Sequence, residues 1–416
     1  TANQKDFEKI PGSPIGYWAS SIILNVYNNN KILCDIAEPK AGLATGDNYL
    51  FQRFWHEVVN SNICFNCKNN NESLNNDEKW YPCNSGGKFR KWYGNNEIVV
   101  NWQFDGKELK NFRNENGKLK SRPQNTFFFF RPGITWTKLS SSKFAARLRE
   151  ESFIFDDTGR SAFVEEDNLI EIFNLLGILC SVISKVYLTI LNPTMSFTSG
   201  DISRIPIPSN ITSHLTEKIK LLINITKNDW NSRETSWDFQ QNELIRCKSN
   251  CGQNCADIDI LRDEDRDEIL EIEKIPTDSN LLEDCYEVYK SEWRRKFFQL
   301  HHNEEELNRQ FIEIYGLQDE LKPDVKIKDI TILQEETSIK NGELVFHADE
   351  VFAQFVSYAV GCMFGRYSLD KEGLILANQG ETLQDYLEKV GRGEEELTFV
   401  PDRDNIIPVL DESELW

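Results

Sequence analysis

The alternation of apolar and polar residues changes style partway along the chain. From residue 30 to about 165, short apolar runs alternate with Gly- and Asn-rich turns, the pattern of a β-rich domain. Glu97-Ile98-Val99-Val100-Asn101-Trp102, the Phe127–Phe130 run and Phe153-Ile154-Phe155 read as strands, the last running into Asp156-Asp157-Thr158-Gly159. Asn69 to Asn76 predicts an exposed loop.

From about 166 the apolar period lengthens to that of a helix. Leu169–Leu191 keeps helical spacing but is too interrupted by Asn and Ser for a membrane span. Breaks follow at Asn192-Pro193 and Ile205-Pro206-Ile207-Pro208. Ser209 to Asn228 predicts an amphipathic helix and Ile258 to Tyr315 a long charged one. In the latter, both signs intersperse as in Arg262 to Glu268, the mark of a solvated face. A further helix begins near Ala348 with Val351, Phe352, Phe355, Val356 and Ala359, and the C-terminal end reads as acidic loops. No internal repeat is visible. The expectation is an α+β chain: a junction at 1–24, a β-rich domain over 25–200, a helical spacer over 201–345 and a C-terminal region over 346–416.

Composition adds that 416 residues with 39% apolar and 12% aromatic side chains can build real cores, which excludes a mainly disordered chain. No apolar run reaches the ~18 residues a membrane helix needs. The opening Thr1-Ala2-Asn3-Gln4-Lys5-Asp6 has no basic or apolar signal region and no initiator Met, so a cytoplasmic piece of something longer is expected.

Charge changes the picture. The net charge of −20 argues against a general polyanion binder. Its distribution argues otherwise, because residues 1–160 carry +5 and residues 161–416 carry −25. Within 86–149, 14 basic residues face 4 acidic ones. Such a stretch suits contact with phosphates, since Lys and Arg there supply most non-specific DNA affinity; a solvated basic face is the alternative.

Candidate chemistry is sparse. Cys64-x-x-Cys67 with Cys83 resembles half a zinc site without a second pair, and Cys247, Cys251 and Cys255 recur every four residues beside Gly252. Ordinary buried thiols account for both sets, and no metal is expected. There is no G-x-G-x-x-G, P-loop, serine-hydrolase elbow or H-E-x-x-H. His301-His302 reads as a surface pair. Asn192-Pro193-Thr194-Met195 lacks the second proline and the stacking aromatic of an adenine-methylation tetrad and is not accepted as one.

Longer phrases carry more. Ala41-Gly42-Leu43-Ala44-Thr45-Gly46-Asp47-Asn48 followed by Phe51-Gln52-Arg53-Phe54-Trp55-His56-Glu57-Val58 resembles the segment just after the catalytic domain of PglX-type enzymes. These are the adenine-specific DNA methyltransferases of BREX phage-defence systems. The likeness continues through Gly86 to Asn95, Val99 to Trp102, Gly133 to Thr137 with Ser140 to Ser142, and Leu191 to Thr194 with Gly200-Asp201-Ile202. It then runs through Glu234 to Phe239, Phe311 to Gln318 and Ser357 to Ser368. The opening Pro14-Ile15-Gly16-Tyr17-Trp18 is similar to the junction after that domain, whereas the Asn-rich 69–76 stretch departs from the family.

The resemblance implies the C-terminal portion of such an enzyme, carrying target recognition and helical spacer regions. The family's S-adenosylmethionine motif and Asn-Pro-Pro-Tyr tetrad do not occur in this sequence. No cofactor and no catalytic residue is therefore expected here, and no methyl transfer by this chain alone. Double-stranded DNA is the expected partner, with other BREX proteins or a phage inhibitor as further partners. The residues expected to face DNA are Lys88, Arg90, Lys91, Arg122, Arg131, Lys143 and Arg147. Thr45, Asp47 and Asn48 join them from a turn, and Thr135 from a hydroxyl-rich run. The alternative is a protein-docking module whose DNA contacts are incidental; charge reversal at Arg90 and Lys91 is expected to abolish DNA binding only under the recognition reading.

Overall fold

The computed structural model describes residues 11–12, 19–140, 143–250 and 281–402. Helices and mixed sheets together make an α+β fold. The chain divides into two units, one of Thr1–Trp230 with Leu300–Thr331 and one of Asn231–Gln299 with Ile332–Trp416. The units interleave in sequence, and the helix Leu282–Tyr315 runs from residues of the second unit into residues of the first.

The first unit holds two four-stranded sheets. One runs in the order β2 (Ala37–Lys40), β9 (Gly159–Val164), β6 (Gly133–Thr137) and β7 (Ala146–Arg149), all antiparallel. The other runs β3 (Gln52–Phe54), β5 (Ile98–Asn101), β4 (Trp80–Asn84) and β8 (Ile154–Phe155), antiparallel except for the parallel β4–β8 pair. A short β1 (Lys31–Ile32) pairs with β10 (Pro206–Ile207). Residues of both sheets share one core: Phe51, Tyr81, Val100, Trp102, Phe129, Ile154, Phe155 and Phe163 are all buried in it. Each such side chain contributes roughly 1.5–3 kcal/mol by leaving water.

Two connections cross between the sheets. Residues 41–51 lead from β2 to β3, and Asp156-Asp157-Thr158 lead from β8 to β9. The crossings are themselves joined, since the Leu43 amide donates to the Phe155 carbonyl at 3.0 Å and the Asp157 amide to the Leu43 carbonyl at 2.9 Å.

Three local expectations change. The Phe127–Phe130 run is a 3-10 turn (Thr126–Phe128) and irregular chain rather than a strand, with Asn125 left-handed before it and three of its four rings buried. The Asn-rich loop contains the helix Asn70–Asn75, started by the Asn69 side chain accepting from the Glu72 amide at 3.0 Å. The apolar 169–191 segment is two helices, Leu169–Cys180 and Val182–Leu191, bent by 68°. Ser181 ends one and caps the other, its hydroxyl donating to the Ile178 carbonyl and accepting from the Ile183 amide. Among the described residues no single helix is long and apolar enough to cross a membrane.

The second unit is mostly helical. It contains Glu243–Asn250, the helix Ala348–Met363 at the expected place, Leu383–Val390, and a hairpin of β11 (Thr337–Lys340) and β12 (Glu343–Phe346). The hairpin turns on Asn341-Gly342, both at positive φ as a two-residue turn requires. Its small core gathers Phe239, Tyr358, Cys362 and Tyr367. Of the predicted Ile258–Tyr315 helix, residues 258–280 lie outside the described residues.

Candidate nucleic-acid interface

Where the two crossings meet, an open cleft of about 340 Å³ is lined by Leu43 to Asn48 and by Asp156 to Thr158. Its first wall is a built turn. Thr45 is buried, accepts from the Asp47 amide at 3.2 Å and donates its hydroxyl to the side-chain carbonyl oxygen of Asn48. Asp47 caps the four-residue helix Asn48–Phe51 by accepting from the Leu50 amide. Only Phe51 of that helix is buried. Gly46 sits at φ +78°, where a Cβ would lie 2.7 Å from the Lys120 carbonyl oxygen.

The close neighbour of that turn is a projecting hairpin-like finger. Arg113 and Leu119 bridge antiparallel, Asn114 and Lys118 close the tip, and the Arg113 guanidinium donates to the Gly117 carbonyl. At its base Ala44 and Arg122 exchange both backbone hydrogen bonds, at 3.0 and 2.7 Å. Arg113, Lys118, Lys120 and Arg122 are all exposed, against one acidic residue, Glu115, between them. Lys120 lies 3.9 Å from Asp47. Behind the second wall the Ser85 and Thr158 hydroxyls lie 3.2 Å apart, and Lys88, three residues on from Ser85, is exposed.

The carboxylates of the cleft are occupied by internal partners. Asp156 is buried and accepts from Gln52, Ser85, the Thr158 amide and hydroxyl, and the Gly159 amide at 2.5–2.8 Å. Asp157 pairs with Lys138 at 2.5 Å and Arg160 at 2.9 Å. Burial works to raise the Asp157 pKa, but the Lys138 hydrogen bond and the Arg160 charge hold it below the ordinary value. What the surface offers to a ligand is therefore chiefly cationic.

Of the residues expected to face DNA, the structure brings Thr45, Asp47, Asn48 and Arg122 together at this surface and leaves Lys88 exposed. The others are placed differently, and the expectation narrows. Arg90 is 7% exposed, donating to the Tyr93 carbonyl and to Asp229. Lys91 donates to Glu304 at 2.5 Å, and Glu304 also takes the Trp92 indole N–H at 2.7 Å. Burial disfavours the Lys91 charge, yet the Glu304 carboxylate outweighs it and raises the pKa. Arg147 is buried on β7, its pKa lowered to about 10 by burial and by the Arg90 charge. Thr135 is buried on the inner strand β6 with its hydroxyl donated to the Arg160 carbonyl at 3.1 Å. Arg131 is tied to Asp167 and the Val164 carbonyl, and Lys143 to Asp329. All of these groups are buried or internally paired in this conformation.

Sequence reasoning did not single out Arg113, Lys118 and Lys120. The signal available was the density of charges over 107–122 without any apolar period, which marks a segment that buries little.

Cys64, Cys67 and Cys83 are free thiols. Cys64 accepts from the Asn76 side-chain amide at 3.2 Å, and burial pushes the Cys67 thiol up to about 12. Among the described residues no group of three or more His, Cys, Asp or Glu could hold a metal ion; Cys251 and Cys255 lie outside them. Asn192 bonds the Ser196 carbonyl and Asp201 and accepts from the Thr194 amide, so its side chain shapes a turn.

The chain that carries this surface is similar to part of two adenine-specific methyltransferases. It is 34% identical over 411 residues to the adenine-specific methyltransferase PglX of Lacticaseibacillus casei (strain Zhang), a match covering 98% of this chain. It is 33% identical over 415 residues to the adenine-specific methyltransferase BrxX of Escherichia coli O9:H4 (strain HS), again over 98% of this chain. In both cases the chain spans about 30% of the relative's length. No family model matches the chain.

Proposed function

We propose that this chain is the DNA target-recognition and spacer portion of an S-adenosylmethionine-dependent adenine-N6 methyltransferase, acting in the cytoplasm in BREX anti-phage defence to mark host DNA as self. Methyl transfer and the cofactor belong to the rest of that enzyme, the C-terminal part of which this chain represents. The observation that carries the proposal is the exposed cationic finger Arg113–Arg122 seated against the Thr45–Asn48 turn, within a chain similar to adenine-specific methyltransferases. Cations at such a surface position the duplex by its phosphates, while the exposed Asn48 side chain of the turn is placed to meet a base edge.

The test is binding of the chain to random duplexes across a salt series. A steep fall of affinity with salt and a preference among sequences support recognition. Absence of binding at low salt removes it and favours a docking module for other defence proteins or a phage inhibitor, for which the −25 of residues 161–416 is the supporting feature.

A further inference from the structure

We infer that Tyr49 is a stacking residue of this surface, a ring that packs against the face of an unstacked DNA base while the cations around it hold the phosphates; the inference rests on the DNA-binding reading above. Tyr49 is 87% exposed, the most exposed large apolar side chain among the described residues. Lone exposed apolar residues are ordinary, so exposure decides nothing by itself. The setting does.

The helix Asn48–Phe51 is one turn long and is fixed at both ends. The Asp47 cap starts it, and buried Phe51 anchors it in the core. Tyr49 thereby stands on a rigid support, which lowers the ordering cost of using it as a contact. Arg53 completes the support. Its guanidinium lies 5.1 Å from the Tyr49 ring centroid, donating to the Tyr49 carbonyl and to the Gln52 carbonyl at 2.7 Å. One face of the ring is thus backed by a held cation, and the high exposure leaves the other face to solvent.

The surroundings match the charge of the proposed occupant. Asn48, the preceding residue, lines the cleft, and Asp47 before it is within 3.9 Å of Lys120 on the cationic finger. A supported aromatic ring beside an open cleft of about 340 Å³, with a cationic finger bonded to one wall of that cleft, is the combination that single-strand and unstacked-base binders use. A protein partner would gain little from the cations; a polyanion carrying flat π-faces uses both features.

The experiment compares the chain with Tyr49→Ala, Tyr49→Phe and the neighbouring control Leu50→Ala. Two probes are used: a fully paired duplex, and the same duplex with one unpaired 2-aminopurine opposite an abasic site. The expected result is that Tyr49→Ala loses roughly tenfold in affinity for the unpaired-base probe. Its affinity for the paired duplex, salt slope and melting temperature should match the parent chain. Tyr49→Phe should bind like the parent and quench 2-aminopurine fluorescence as it does. Equal binding of Tyr49→Ala and the parent to the unpaired-base probe overturns the inference. So does a loss in Tyr49→Phe as large as in Tyr49→Ala, which would make the hydroxyl the contact. A uniform loss on both probes with a lowered melting temperature would make the role structural and also overturn it. If the parent chain binds neither probe at low salt, the DNA-binding reading itself fails and takes this inference with it; a loss confined to Tyr49→Ala on the unpaired-base probe upholds both.

Discussion

Arg90 donates from Nη2 to the Asp229 carboxylate across 2.6 Å, with Arg90 only 7% exposed and Asp229 not exposed at all. The pair joins the basic stretch to the acidic remainder of the chain. Lys91 with Glu304 and Lys143 with Asp329 repeat the arrangement. The opposite charges of the two halves of the sequence are therefore partly an internal matter. Three cations that look available for phosphate are neutralised by carboxylates contributed from beyond residue 160.

Truncating Arg90 should accordingly cost stability rather than recognition. Arg90→Met takes the Arg90 cation away from buried Asp229, at a cost of roughly 3–5 kcal/mol, and also removes the guanidinium stacked 4.9 Å from the Trp230 ring. Chemical denaturation of the variant should show a large drop in midpoint. Arg90→Met with Asp229→Leu should recover much of it, because the buried carboxylate is removed together with the Arg90 cation. Weaker DNA affinity in Arg90→Met at unchanged stability would contradict the structural role.

The finger predicts the reverse pattern. Lys118, Lys120 and Arg122 are exposed, so replacing all three by Gln should move the melting temperature little. Under the proposed function the slope of log affinity against log salt should flatten by about 0.9 for each phosphate no longer neutralised, or by about 3 for the triple variant. A salt series by fluorescence anisotropy measures this. An unchanged slope would move the DNA-facing surface elsewhere.

How much of the fold and the surface was legible depends on what each residue does. The β5 strand, the Leu169–Leu191 helical region and the helix from Ala348 were readable because a buried face imposes a period on neighbouring positions. The Phe127–Phe130 run was misread because four consecutive rings carry no period, and the left-handed Asn125 that sets the turn is indistinguishable in sequence from any other Asn. Thr45, Asp47 and Asn48 were singled out through a phrase rather than through chemistry. The burial and pairing of Arg90, Lys91 and Arg147 were not legible because a count of charges cannot tell a lysine in water from one bonded to a carboxylate some two hundred residues away, as Lys91 is to Glu304. Tyr49 escaped because an aromatic residue normally argues for a core.

Acid should weaken the crossing at Asp157. Its folded pKa lies below the ordinary 3.8, so its contribution is complete above that value and is lost as pH falls through the folded pKa. Asp157→Asn should be less stable than the parent near neutrality by about 1 kcal/mol, the size appropriate to a partly exposed pair. The difference should shrink as pH falls below about 4. Parallel urea titrations at neutral and acid pH measure both values, and a gap that persists undiminished in acid would rule out the charge as its source.

Two glycines on the same structure separate backbone cost from interface geometry. Gly46 and Gly117 both have positive φ, +78° and +73°, so alanine costs about 1–2 kcal/mol at either from the left-handed backbone alone. Their surroundings differ. At Gly46 the new Cβ would come within 2.7 Å of the Lys120 carbonyl, whereas at Gly117 nothing lies within 4 Å. Gly117→Ala should therefore lower stability by the backbone cost and leave DNA affinity and salt slope intact. Gly46→Ala must push the Thr45–Asn48 turn and the finger apart, separating Lys120 and Arg122 from Asn48 and Tyr49. It should lower stability further and weaken DNA binding with a flatter salt slope, as measured by thermal melting alongside anisotropy. If both variants bind equally while Gly46→Ala is clearly the less stable, the turn and finger do not need each other to hold DNA, and the composite surface must be divided into two independent parts.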